Sequence, residues 1–185
     1  MTKFIVGVSG ASGSAYALTA LRALAEVPDV EVHLVLSEQA RRTIVLETNH
    51  APSDFEALAA VTYDDRDLAA PISSGSYRVD GMLVIPCSMK TASAVAYSLN
   101  TNLLVRAADV TLKERRPLVL VVRESPLHVG HLRTLLQLAE IGAVVLPPVP
   151  GMYARPQSVD DIIAHTVGKA LDQLRIPNEL FRRWR

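Results

Sequence analysis

Short apolar runs alternate along this chain with segments of helical periodicity, and that alternation limits the possible folds more than any other feature. Lys3–Val8 reads as a buried strand, and Gly13–Ala25 as a helix with Tyr16, Leu18, Leu21 and Leu24 at core spacing. Glu31–Leu36 is a second strand, in which Val32, Leu34 and Leu36 alternate with polar positions, and Glu38–Thr48 is a second helix. Between Ala51 and Arg78 the pattern weakens to a short helix near Ser53–Ala60 and a loop rich in Asp, Ser and Gly. Further strands follow at Gly81–Ile85, Leu118–Val122 and Ala143–Leu146. Helices fill Lys90–Ser98, Leu103–Glu114 and His128–Ile141. The last helix, Ser158–Leu174, starts with a capping pair, Ser158 and Asp161. The pattern predicts an α/β fold: three layers, α/β/α, around a mostly parallel sheet of Rossmann-like or flavodoxin-like type.

The 185 residues fit one domain. With 19 basic and 19 acidic residues the chain is neutral, which argues against nucleic acid as a partner. The short basic run Lys113, Arg115, Arg116 is interrupted by Glu114 and reads as a solvated face or a local anion site. Cys87 is the single cysteine, so no intrachain disulfide points to an oxidising compartment. The apolar start Phe4–Val8 is too short for a signal peptide. No apolar run approaches the ~20 residues of a membrane span. The expected location is the cytoplasm, away from membranes.

Ligands of parallel sheets bind beyond the carboxyl ends of the strands, near the topological switch point. The first strand ends in Gly7-Val8-Ser9-Gly10-Ala11-Ser12-Gly13, a spacing that is neither the dinucleotide fingerprint nor a P-loop. It reads either as an anion-binding loop or as a tight βα turn. Ser37 follows the second strand and fits an N-cap. Pro86-Cys87-Ser88-Met89-Lys90-Thr91 gathers hydroxyls that suit a phosphate or a ribityl chain, with Cys87 as a buried small hydrophobe. Arg123-Glu124 is either a structural ion pair or a site pair, and Tyr153 near Arg155 suits either phosphate recognition or loop packing. His128 and His131 share a helical face, but no acidic or cysteine ligand lies close in sequence, so no metal is expected. Asp64-Asp65-Arg66-Asp67 lacks the spacing of a diphosphate-binding aspartate motif, because Leu68 stands where an acid is needed. It reads as a loop.

In order along the chain, these segments resemble the UbiX-type flavin prenyltransferases. The resemblance rests on Val6–Gly13, Leu46-Glu47-Thr48, Ser73-Ser74-Gly75-Ser76, Pro86-Cys87-Ser88, Arg106–Val110, Leu112–Leu120, Gly142-Ala143-Val144 and Pro156-Gln157-Ser158. It implies reduced FMN as bound substrate, dimethylallyl monophosphate as donor, and prenylated FMN as product for a separate UbiD-type decarboxylase. It further implies that Gly10, Ala11, Ser12, Ser37, Ser88, Met89, Lys90, Thr91 and Arg123 hold FMN. Ser74, Gly75, Arg106, Lys113, Tyr153 and Lys169 would surround the donor phosphate, some across a subunit boundary. Glu47, Glu124, Ser12 and Trp184 would form the catalytic set, the glutamates moving protons and Trp184 lying over the allyl group. A homo-oligomer, a dodecamer, is expected. The domain would span 1–185, with a tail of about 175–185 packed near the active site or on a neighbouring subunit.

That assignment is chemically coherent. Cationic and phenolic donors can stabilise a leaving phosphate without a metal, and an aromatic face can stabilise an allylic cation. The chain departs from the family pattern at Lys169, where many relatives carry arginine, and at Ala154-Arg155. Lysine keeps the charge but lacks the planar fork, so weaker donor affinity is expected rather than lost activity. Two other readings compete. A flavin-dependent decarboxylase of cysteine-containing peptides would usually carry a histidine in the first helical region, and none lies between Gly10 and Pro28. A non-enzymatic flavin-binding accessory subunit would leave Lys113, Tyr153, Lys169 and Trp184 without a task.

Overall fold

The computed structural model describes residues 1–184. Arg185, the last residue of the expected domain and tail, lies outside the described residues. Along the chain run β1 (Thr2–Val8), α1 (Ser14–Ala25), β2 (Val30–Leu36), α2 (Glu38–Glu47), α3 (Pro52–Glu56), β3 (Val61–Asp64) and β4 (Gly81–Cys87). There follow α4 (Met89–Ala96), α5 (Leu103–Lys113), β5 (Leu118–Val122), α6 (Val129–Glu140), β6 (Val144–Val145) and α7 (Val159–Gln173). The strands form one parallel sheet in the order β3-β2-β1-β4-β5-β6. Of the two expected arrangements this is the Rossmann order.

Side chains of the central strands alternate between two cores. Phe4, Val6 and Val8 of β1 join Leu21 of α1, Ile44 of α2, Phe55 of α3 and Leu171 of α7. Ile5 of β1 and Val84 of β4 join Val95 of α4, Leu104 of α5 and Leu138 of α6 on the other face. Every residue of β4 and β5 is buried, because helices cover both sides. Each such aliphatic side chain contributes roughly 1.5–3 kcal/mol.

Residues 61–64, expected in a loop, form a sixth strand. β3 sits at the sheet edge, where only Val61 and Tyr63 are half-buried, so its signal in the sequence is weak. Asp64 therefore ends a strand, while Asp65 holds the start of α5. Its carbonyl accepts from Leu103 N at 2.7 Å, and its carboxylate from Leu104 N at 3.0 Å and Asn102 Nδ2 at 2.8 Å.

The chain builds outward from β1 to β3, then crosses to β4 on the other side of β1, which makes the switch point. Buried Ser9 ties its two lips together. The hydroxyl donates to Pro86 O at 2.9 Å and accepts from Ser88 N at 2.8 Å. After α7 the chain turns and runs back along that helix. Asn178 Nδ2 donates to Gly168 O at 3.3 Å, and Arg183 grips both oxygens of Asp172 at 2.9 Å. Phe181 stacks edge-on against His165, with ring centroids 4.9 Å apart.

Candidate active site at the carboxyl ends of the strands

A cavity of ≈ 840 Å³ opens beyond β1, β2, β3 and β4, lined among others by Gly10, Ser37, Ser88, Lys90 and Thr91. Two helices begin at its wall. Ser37 caps α2, its hydroxyl accepting from Ala40 N at 3.1 Å. Ser88 caps α4, accepting from Thr91 N at 3.2 Å and donating to the Thr91 hydroxyl at 3.1 Å. First-turn N–H groups lack acceptors inside a helix and favour an anion. Lys90 adds a cation, so the donor set fits a phosphate, and the cavity size fits a cofactor-sized ligand. Gly10 is pressed against α2, where a Cβ would lie 2.4 Å from Gln39 Cβ. The Met89 side chain is buried in the core, so this residue can meet a ligand only through its backbone.

The glycine-rich turn after β1 has a different partner. Gly13, at φ 115°, exposes its N–H to the Glu47 carboxylate at 2.8 Å, and Ser14 N donates to the same oxygen at 3.0 Å. The protein's own carboxylate thus fills the anion position at the start of α1. Burial pushes the Glu47 carboxyl upward, but the Ser12 hydroxyl and the Gly13 and Ser14 N–H groups outweigh it and hold the group below its ordinary range. Glu47 is consequently an anion at neutral pH, with room for a proton but less basic than an ordinary carboxylate. Ser12 and Ala11 lie in the same turn, Ser12 exposed and Ala11 buried.

Arg123 and Glu124 project from the end of β5, both exposed, and form no ion pair among the described residues. Glu124 accepts from Ser125 N at 3.1 Å. The Arg123 charge faces Tyr16, whose phenol burial pushes up and Arg123 pulls part of the way back. His128 caps α6, with Nδ1 accepting from Gly130 N at 3.0 Å and His131 N at 3.4 Å. The His128 and His131 rings lie tilted against each other, with centroids 3.6 Å apart. The Cys87 thiol is wholly buried and pushed up to about 12 by burial, which makes it a poor nucleophile.

The residues expected around a donor phosphate divide into two groups. Tyr153, Lys169 and Trp184 gather around α7. The Tyr153 hydroxyl lies 3.2 Å from His165 Nε2, the Trp184 indole stands edge-on to Tyr153 at 5.4 Å, and Lys169 is exposed one turn beyond His165. Ser74, Gly75, Arg106 and Lys113 form a second cluster. A Cβ on Gly75 would lie 2.7 Å from Lys113 Nζ, and Arg106 Nε donates to Ser73 O at 3.1 Å. α5 starts beside Asp65 at the carboxyl end of β3 and descends to Lys113, just before Pro117 at the start of β5. Most of this second cluster therefore lies toward the amino ends of the strands, away from the cavity. Arg116, read from the sequence as part of a solvated or anion-binding basic run, pins the loop by donating to Gly75 O at 2.9 Å and Tyr77 O at 3.0 Å. Nothing in the sequence pointed to His165, because its partner is twelve residues away in an irregular loop.

A Rossmann-order sheet with a polar, helix-lined cavity at its switch point defines a nucleotide- or flavin-binding α/β protein. The family model described as Flavoprotein matches residues 1–171. Flavin prenyltransferase UbiX of Escherichia coli strain K12 is 56% identical over 186 residues, covering 100% of this chain and 98% of its own length. The crystal structure of a dodecameric FMN-dependent UbiX-like decarboxylase from Escherichia coli O157:H7 superimposes with a TM-score of 0.97 at 48% identity, covering 100% of both chains. AnUbiX (PadA1), solved with FMN and dimethylallyl pyrophosphate, gives a TM-score of 0.97 at 45% identity, covering 100% of this chain and 97% of its own. The chain belongs to the UbiX flavin prenyltransferase family. The cypemycin decarboxylase CypD, at 17% identity and a TM-score of 0.68, shares the fold alone.

Proposed function

We propose that this protein transfers the dimethylallyl group of dimethylallyl monophosphate to N5 and C6 of reduced FMN, making prenylated FMN for a UbiD-type decarboxylase. FMN would lie in the switch-point cavity. The caps at Ser37 and Ser88, with Lys90 and Thr91, hold its phosphate, while Gly10, Ala11, Ser12 and Arg123 border the ring. One observation supports the donor side most: a phenol, an ammonium and an indole gather on one side of α7. Tyr153 and Lys169 can hold a leaving phosphate, and the Trp184 face can stabilise an allylic cation.

In the reaction the allylic C–O bond would break, its electron pair leaving with phosphate, while N5 supplies the pair for the first new bond and gives up its proton to the departing phosphate. Protonation of the remaining C=C bond by that phosphate would make the tertiary cation on which C6 closes, and the ring proton lost from C6 would pass to Glu47 or back to the phosphate. A monophosphate donor suits these residues, since Asp64 pairs with Arg66 and Asp65 holds α5, leaving neither for a magnesium diphosphate. Ser74, Gly75, Arg106 and Lys113 complete the donor site of a second copy, in an assembly like the dodecamer reported for the O157:H7 relative. Reduced flavin as substrate favours a reducing compartment, the cytoplasm.

The test is direct. Folded, FMN-loaded protein given reductant and dimethylallyl monophosphate should yield flavin heavier by one isoprene unit, with the diphosphate donor run in parallel. Absence of that mass gain with either donor would overturn the reading. If Tyr153→Phe and Lys169→Met both left activation of a partner decarboxylase intact, a flavin-carrying accessory role would replace it.

A further inference from the structure

We propose that His165 is a positioning residue for the donor site: its Nε2–H donates to the Tyr153 hydroxyl oxygen, leaving the phenolic proton free for the departing phosphate. The proposal rests on Tyr153 being a phosphate ligand, as argued above. Tyr153 Oη and His165 Nε2 are 3.2 Å apart, with the rings edge-on at 75°. Two further contacts fix the imidazole. Phe181 of the returning tail packs edge-on against it, with centroids 4.9 Å apart. On the other side the loop passes so close that a Cβ on Gly151 would lie 2.6 Å from Nε2.

The tautomer follows from what each ring nitrogen meets. His165 Nδ1 is buried with no hydrogen-bond partner among the described residues. A proton there would be an orphaned buried donor, which is among the costlier defects a fold can carry. A bare lone pair in that position is the lesser cost, because unpaired acceptors are better tolerated than unpaired donors. The proton therefore belongs on Nε2, pointing at Tyr153. Burial, and then the nearby Lys169 ammonium, hold the ring's pKa below its ordinary value, so the doubly protonated form that would also place a proton on Nδ1 is disfavoured. In the opposite tautomer Nε2 would accept the phenolic proton and turn it away from any ligand. Phosphate gains negative charge as the allylic bond ionises, so a phenolic proton held toward it acts most in the transition state.

Three variants test this in the full-length protein with reduced FMN and dimethylallyl monophosphate. His165→Leu removes the donor. His165→Asn keeps a polar amide too short to reach Tyr153, and His165→Gln returns an N–H near the position of Nε2. Both Leu and Asn should lower kcat by about tenfold, the scale of one misplaced hydrogen bond, with smaller change in donor KM. His165→Gln should recover to within about threefold. FMN affinity should not move in any of them. Adding Tyr153→Phe to His165→Asn should cost nothing beyond Tyr153→Phe alone. Should His165→Leu fail to fold, the contrast between Gln and Asn decides. Equal activity of Gln and Asn, or losses that multiply in the double variant, would overturn the role of His165 while leaving the donor site standing. An unchanged rate in Tyr153→Phe would remove the phosphate reading of Tyr153, and His165 with it.

Discussion

At the scale of residues, the proton-accepting role proposed for Glu47 separates cleanly from its capping of α1. The side chain caps α1 through Gly13 N and Ser14 N, and it is a carboxylate kept ionised within reach of Ser12. Glu47→Gln keeps an acceptor oxygen but removes the charge. Its helix contribution should fall by only about 0.3–1 kcal/mol, the value of a charge at a helix N-terminus. Its loss as a proton acceptor should cost about 10²-fold or more in single-turnover rate. The sign of the pH effect follows from the lowered carboxyl pKa. Stability from Glu47 is fully present above its ordinary value of 4.5 and is lost as pH falls through the depressed folded value. Ionised throughout the neutral range, Glu47 cannot set an acid limb of activity there. A Glu47→Gln protein that turns over at the wild-type rate would leave only the capping role.

Among elements, the sequence was most readable where the chemistry is local. Ser37 and the Ser158–Asp161 box cap the helices they announce, whereas Ser88, read only as a ligand hydroxyl, turned out to cap α4. The edge strand Val61–Asp64 was not readable, since only two of its four side chains are half-buried. The tail is a third case, because what holds it is a glycine on another element. Gly168 sits inside α7, where alanine would favour the helix by roughly 1 kcal/mol. A Cβ there would meet Phe181 Cδ1 at 2.4 Å. Gly168→Ala should therefore dislodge Phe181 and with it Arg183 and Trp184, while the helix itself stays intact. Trypsin should then cleave after Arg182 and Arg183 several-fold faster, and donor KM should rise with FMN affinity unchanged. Cleavage at the wild-type rate would show that the tail is held by the Arg183–Asp172 pair alone.

At the scale of the whole molecule, topology decides what no local pattern announces. Glu47 reaches Gly13 across 34 positions, and Ser88 reaches Ser9 across 79, because β1 lies between β2 and β4. The same topology divides the expected phosphate ligands into two separate clusters, one around α7 and one around Gly75 and Lys113, which a linear motif cannot reveal. It also buries His33, one of the polar positions that alternate with Val32, Leu34 and Leu36 in β2. The His33 side chain is 1% exposed, with Nε2 at 2.9 Å from Glu31 Oε1 and Nδ1 at 2.8 Å from the Tyr63 hydroxyl. The Tyr63 phenol is pushed up to about 12, mainly by burial, so it keeps its proton and donates to Nδ1, leaving Nε2–H for Glu31. Burial holds the His33 pKa below its ordinary 6.5, with Glu31 opposing in part. Below pH 6.5 the unfolded chain takes up a proton at this residue that the folded sheet resists. The stability His33 confers is thus complete above pH 6.5 and declines as the pH drops through the folded value. Urea midpoints of the wild type should fall on acidification from pH 6.5, and those of His33→Gln, which keeps hydrogen-bonding capacity without titrating, should fall less steeply. Parallel slopes for the two proteins would mean that His33 titrates alike folded and unfolded, and that the buried network around it carries no pH dependence.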